Sequence, residues 1–368
     1  MMQRGRIAGL DVIKSLGLYL VVLYHLVWRY VPDVLGGGAK AYGVYFFTTF
    51  LSCCVPLFMM SSGALSLTRP VDLKRNGLRC AHLVVVFLVW AAVELPIVLL
   101  LRGERATVLQ GIEMVRNLHY GYVQHLWYLP TYLFLLLILP MLRSLREGSR
   151  RVYVYGAALL AVFTFGNTLL NDIEYLIRYI TGNLGYAETR QFFWYVNFFT
   201  FRYWYAPVYL VLGAELLDRR EALSRYRGSA LAVILLCMTA LTVIGIARSH
   251  VQEYHYDPVC YNYGDPFTMA LTVAAEALLL PLEPAGLLRR ATESLSKCSL
   301  GIYLIHWLLV EAMRRFLPGF ITRIVFAPLT ALAVLGISWS ITWIGMRIPG
   351  VKWLFTAASP LQDRTRAR

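Results

Sequence analysis

LDVIKSLGLYLVVLYHLVWRYV, residues 10–31, is an almost unbroken apolar stretch that carries an acid, an ammonium and an imidazole: Asp11, Lys14 and His25. About 20 apolar residues suffice to cross a bilayer as a helix. An ionisable group at the centre of such a helix costs about 2.5–3.5 kcal/mol on insertion scales, so these groups usually face a bundle interior and mark a functional path. Lys14 and His25 stand eleven positions apart. At about 100° and 1.5 Å per residue, the second returns to within about 20° of the first, roughly 16 Å further along. The spacing predicts one polar stripe on one face. Asp11, three residues before Lys14, lies on the same side and can partner the ammonium.

Composition agrees with a membrane chain. Of 368 residues, 58% are hydrophobic, 14% aromatic and only 15% charged, which excludes an ordinary soluble domain. Residues 10–31 are too long for the apolar core of a signal peptide and lack a small-residue cleavage site, so the segment is expected to remain as a membrane helix. Stretches long enough to span occur at about 10–31, 44–67, 78–101, 124–142, 152–170, 195–217, 229–247, 267–288, 298–316 and 321–346. The expected fold is therefore all-α, a polytopic membrane helix bundle of about ten transmembrane helices. It forms a single transmembrane domain over 1–346 and a short basic cytoplasmic tail over 347–368. Kinks are expected at the prolines inside these stretches, and a re-entrant piece around His125 to Pro130.

Basic residues orient the bundle, because cytoplasmic loops carry the excess of Lys and Arg. Alternate loops hold 22 of the 35 basic residues on one side against 11 on the other, which predicts both termini in the cytoplasm. Arg314, Arg315 and Arg323 run against the rule, and a nine- or eleven-span count would invert part of the map. The formal charge of +14 reads as topology plus attraction to anionic lipid headgroups. No stretch is long enough to make a water-exposed basic face for nucleic acid. Five of the six cysteines fall in or at the edge of spans, where Cys acts as a small hydrophobe; Cys260 alone sits in an outer loop. No cluster with metal-ligand spacing appears, so no metal is expected.

Five elements, taken in order, resemble the acyltransferase 3 family of integral membrane acyltransferases. They are Arg6 through Lys14 to His25, Val55-Pro-Leu-Phe-Met-Met-Ser-Ser-Gly63, His125-Leu-Trp-Tyr-Leu129, Tyr209-Leu-Val-Leu-Gly213 and Ser299-Leu-Gly-Ile-Tyr-Leu-Ile-His306. The resemblance covers nearly the whole chain. It implies an enzyme that moves an acyl group, usually acetyl from acetyl-CoA, onto a hydroxyl of a cell-surface carbohydrate or lipid-linked glycan precursor. It further implies a multi-pass protein of a bacterial cytoplasmic membrane. Many members have Arg where this chain has Lys14, which keeps the charge and loses the bidentate fork. No appended soluble hydrolase-like domain is expected.

The chemistry points the same way. Moving an acyl group from a thioester to a hydroxyl needs a base for the hydroxyl proton, and histidine titrates near the working pH. His25 is the candidate. Lys14, nearer the cytoplasmic end, can take a phosphate of acyl-CoA as a point charge, and the spacing suits a long donor arm. The bland alternative is that Lys14 snorkels to the headgroups and His25 is an interhelical hydrogen bonder.

Other polar residues within the spans stay open between roles. Arg202 either snorkels outward or makes a second anion or acceptor contact. Glu94, Glu215 and Glu276 can pair with His25, Arg202 or each other. Glu94 is expected to be the best buried and Glu215 to lie at headgroup level. His306 is either catalytic or packed against Tyr303 and the first helix. His125 and Trp127 suit a sugar platform, yet Trp and Tyr also belt the membrane interface for physical reasons. Ser61, Ser62 and Gly63 favour close helix packing. Residues 248–266, dense in Tyr, His and Asp, suit stacking on sugars. A small-solute, amino-acid-like transporter is the alternative in a different class, although no paired internal repeat is visible.

Overall fold

A computed structural model of the chain describes residues 6–357 except 119–120, 186–188, 194–202, 258, 260–262 and 322. Its helices, in chain order, are α1 (Ala8–Val27), α2 (Ala39–Ser66), α3 (Leu73–Arg102), α4 (Val108–Arg116), α5 (Gln124–Gly148), α6 (Arg150–Ile180), α7 (Tyr205–Asp218), α8 (Arg220–Gln252), α9 (Pro266–Leu279), α10 (Gly286–Lys297), α11 (Ser299–Phe316) and α12 (Ile324–Gly345). The described residues contain no strand.

Seven of these, α1, α2, α3, α5, α6, α8 and α12, are long and apolar enough to cross a membrane, and α10 with α11 makes an eighth if that pair, bent by 78°, counts as one. Two of the expected ten stretches hold shorter helices among the described residues. Helices α7 and α9 are 14 residues each, about 21 Å of helix, short of the ~30 Å hydrocarbon core. The start of the sixth expected span lies outside the described residues. Pro96 and Pro140 fall inside helices, whereas Pro328 is the second residue of the α-helical part of α12, which begins at Ala327 after a 3₁₀ turn, where its missing N–H has no α-helical partner to lose. No separate re-entrant piece forms at His125; Gln124–Trp127 is a 3₁₀ turn that runs directly into the rest of α5.

Caps fix the ends. Asp72 accepts from the Arg75 backbone N–H at the start of α3, Thr107 and Gln110 form a reciprocal capping box on α4, and Asp265 accepts from Phe267 and Thr268 before α9. Helix α1 is the central element: fifteen of its twenty residues are buried, against α2, α9, α10, α11 and α12. Helix α6 is peripheral, with five buried residues in 31, and leaves most of its apolar surface exposed.

The closest packing joins α2 to α7. A Cβ on Gly63 would stand 1.8 Å from the Leu210 carbonyl oxygen, and one on Gly213 would stand 1.9 Å from that of Met60. Each glycine is the hole for the other helix's backbone, which is how membrane helices gain contact when the solvent is as apolar as they are. Gly213→Ala is expected to cost roughly 1–3 kcal/mol through overpacking, seen as a lower thermal midpoint in detergent. Gly156→Ala, where a Cβ meets nothing within 4 Å, is the control and should leave the midpoint unchanged.

Candidate active site

At its N-terminal end α1 is fastened to α10. Arg6 donates to Asp11 through Nε (2.6 Å) and Nη2 (2.8 Å) and reaches the Glu293 carbonyl at 3.2 Å. Ser15 donates to the Asp11 and Thr292 carbonyls. Asp11 is thus engaged by Arg6, not by Lys14 as the three-residue spacing suggested. Lys14 is half-buried, and no carboxylate of the described residues lies within 4 Å of its ammonium. Its electrostatic neighbours include two further cations, Arg6 and Arg69, beside Asp11. A cleft of about 650 Å³ opens at this end, lined by Arg6 and Ile7 and by residues 217–222, Arg219 and Arg220 among them. Glu215 sits at the same end of the bundle, bonded to Arg150 and to Arg219, the latter at 2.9 Å.

At the other end of α1 three histidines converge. The His25 ring lies 5.3 Å from that of His306 and 5.1 Å from Trp307, edge-on. His306 is 5.6 Å from His125, which stacks on Trp307 at 5.3 Å. Helices α1, α5 and α11 thereby bring together His25, His125 and His306, which the sequence separates by 100 residues or more. Glu94 of α3 completes the group: His125 Nε2 stands 3.2 Å from Glu94 Oε2, at an angle that makes no hydrogen bond. Tyr303 donates to the His125 carbonyl. The Tyr303 carbonyl can only accept, so His306 Nδ1 must carry the proton it donates there, leaving Nε2 as a bare acceptor.

Exposure separates the imidazoles. His25 keeps 9% of its surface open against 2% for His125 and 0% for His306; the His125 ring nitrogens and His306 Nε2 are sealed without a hydrogen-bond partner. His25 is the least enclosed of the three. Trp127 stacks on Tyr203 at 5.2 Å and Tyr263 at 5.7 Å, so its ring is engaged in an aromatic cluster beside the histidines. Glu276 is fully buried and its carboxyl has no hydrogen-bond partner among the described residues. Arg202 and Cys260 lie outside the described residues. No group of three His, Cys, Asp or Glu among the described residues is arranged to hold a metal ion.

A charged network absent from the sequence reading closes this end. Glu311 of α11 accepts from Arg102 of α3 (2.9 Å) and from Arg314, and Arg314 Nη2 donates to the His25 carbonyl at 2.7 Å. Trp307 Nε1 donates to the Tyr122 carbonyl at 2.8 Å, and Arg102 lies over the Tyr122 ring at 4.6 Å. The Tyr122 hydroxyl donates to Glu104, which with burial raises the phenol above its ordinary value. The signal that could have found this network was Arg314 itself, the basic residue that defied the loop count. In the loop between α8 and α9, burial lowers the His255 imidazole against the opposing pull of Asp33, 3.8 Å away, and Asp257.

The structure defines an integral membrane protein built on a central helix with a cationic residue towards one end and a histidine centre towards the other. The acyltransferase domain family model matches residues 7–343, and the chain belongs to that family, as a membrane acyltransferase. No curated protein and no solved structure matches. The family assignment lends no support to the transporter alternative.

Removing Glu311 strands two guanidiniums, and breaking a buried pair from one side costs roughly 3–5 kcal/mol. Glu311→Ala is therefore expected to lower the thermal midpoint more than Glu113→Ala, whose carboxylate is exposed. Equal midpoints would remove the network from the account of this end.

Proposed function

We propose that the protein is a membrane-bound O-acetyltransferase that moves acetyl from acetyl-CoA onto a hydroxyl of a cell-surface carbohydrate or lipid-linked glycan, in a bacterial cytoplasmic membrane. In this reading the chain crosses about ten times, both termini are cytoplasmic, and the Lys14 end of α1 faces the donor. The observation that carries the proposal is that His25, the least enclosed of the three histidines at 9% exposure, shares a helix with a half-buried ammonium that has no carboxylate of the described residues within 4 Å.

Coenzyme A brings phosphates that Lys14, with Arg6 and Arg69 near it, can attract as point charges. The rise between Lys14 and His25, roughly 16 Å on an α-helix, fits a donor arm that leaves its phosphates at the mouth and carries the thioester inward. At the far end a ring nitrogen of His25 takes the acceptor hydroxyl proton as that oxygen attacks the thioester carbonyl. The carbon–sulfur bond then breaks, and the proton passes to the departing thiolate, so the products are an acetyl ester and free coenzyme A thiol. His306 and Trp307 pack on the His25 ring, and Arg314 holds its backbone carbonyl. Positioning of this kind is what general-base catalysis requires. The aromatic cluster of Trp127, Tyr203 and Tyr263 supports a sugar-binding role through the partly exposed rings of Trp127 and Tyr203.

His25→Ala is expected to reduce acetyl transfer from labelled acetyl-CoA to the envelope fraction by about 10²–10⁴-fold while the protein still folds and shows a cooperative thermal transition, its midpoint lowered by the packing lost around the ring. Undiminished transfer would defeat the assignment. Lys14→Ala should weaken the stabilisation that acetyl-CoA gives the purified protein, and Lys14→Arg should retain it. A response identical in all three proteins would remove Lys14 from donor binding.

A further inference from the structure

Three guanidiniums gather at the His25 end of α1. Arg102 and Arg314 share the single carboxylate of Glu311. Arg29, one helical turn past His25, is exposed and has no carboxylate within 4 Å among the described residues. Arg29 and Arg102 face the same small gap: a Cβ on Gly121 would meet Arg102 Nη1 at 3.4 Å, Arg102 Nη2 at 3.6 Å and Arg29 Nη2 at 3.7 Å. Gly121 has φ +84°, a conformation that favours glycine, so this opening between the two arginines is built into the backbone. Arg102 Nη2 also donates to the Gly121 carbonyl at 2.6 Å, which fixes the guanidinium beside the gap. Arg29 is an electrostatic neighbour of Arg314 as well. The nearby acids are committed: Glu311 to two arginines, and Glu104 to the Tyr122 hydroxyl.

Like charges this close repel unless an anion lies between them, and a planar guanidinium is suited to carboxylate and phosphate oxygens. The gap belongs to the His25 end of α1, since Arg314 reaches from this cluster to the His25 backbone carbonyl at 2.7 Å. We infer that Arg29 and Arg102, across the Gly121 gap, hold an anionic group of the acyl acceptor, a carboxylate or a phosphate, and so place a neighbouring hydroxyl over His25. The acceptor is thereby an acidic glycan or a phosphate-bearing glycan precursor and not a neutral sugar. This rests on the acetyltransferase reading and names the class of its acceptor.

The test uses the full chain purified in detergent, with thermal midpoint as the readout. Methyl glucuronide and glucose 1-phosphate serve as anionic probes, methyl glucoside as the neutral one, and phosphatidylglycerol as an anionic lipid. The inference predicts stabilisation by one or both sugar anions, little by the neutral glycoside, and loss of that response with added salt. In Arg29→Gln, an exposed change that leaves the buried network intact, apparent affinity for the anion should fall about tenfold, with recovery in Arg29→Lys. The ratio of glucuronide to phosphate response tells which anion the site takes. A neutral glycoside that stabilises equally, an unchanged response in Arg29→Gln, stabilisation by phosphatidylglycerol alone, or no response to any probe would overturn it. Acetyl-CoA stabilisation, measured in the same proteins, should be untouched by Arg29→Gln. Its absence from the wild type would instead count against the acetyltransferase reading.

Discussion

Hydrocarbon offers no hydrogen-bond partner to a polar side chain, and the bundle is arranged around that constraint at α1. Asp11, Lys14, Ser15 and His25 all lie on a helix flanked by five others, and three of the four are buried. The cover is specific at each end: Arg6 and the α10 carbonyls at Asp11 and Ser15, and His306, Trp307 and Arg314 at His25. Helix α6, peripheral with five buried residues in 31, follows the same constraint: its buried acid, Asp172, is met by Arg248 of α8. The close glycine seam between α2 and α7 then packs the wall on which the central helix rests.

Much of this was legible in residues 10–31. Length and composition indicated a membrane helix, and intramembrane charge indicated that it faces the interior. His25 and His306 were both visible, as end elements of an ordered motif series. What the sequence did not show were partners. The three-residue spacing paired Asp11 with Lys14, but Arg6 lies just before the helix start, where the chain is free to fold back and make a two-pronged contact. Arg314 read as an orientation anomaly because a loop count treats every basic residue as solvated; its charge is met by Glu311, three residues earlier on the same helix. The Glu94–His125 approach joins α3 to α5, and no periodicity within either helix encodes it. Hydropathy marked ten apolar stretches, whereas helix length among the described residues makes seven of them, or eight with the bent pair, long enough to cross.

The loop between α8 and α9 shows the same limit. Its density of Tyr, His and Asp suggested a surface for sugars. In the structure several of these groups face inward. Arg248 bonds the Tyr256 hydroxyl at 2.7 Å and the Asp172 carboxylate. Tyr45 donates to the Tyr256 carbonyl, and Tyr24 donates to Asp257 at 2.6 Å. The composition of a binding loop and that of a loop fastened by its own side chains are alike, and only the partners distinguish them.

The helix macrodipole sharpens the contrast between the two ends of α1. Its N-terminus favours an acid and its C-terminus favours cations, which matches Asp11 in the first turn and the guanidinium of Arg314 on the His25 carbonyl. Lys14 departs from that pattern. It lies in the second turn, where the dipole opposes a cation, and the nearest acid is already held by Arg6. Packing, pairing and the dipole explain the other charged groups of this helix, whereas for Lys14 each of them is unfavourable or absent. Among the described residues, the favourable charge near this ammonium is Asp11, set against Arg6 and Arg69, so Lys14 keeps an uncompensated positive field at this end of α1.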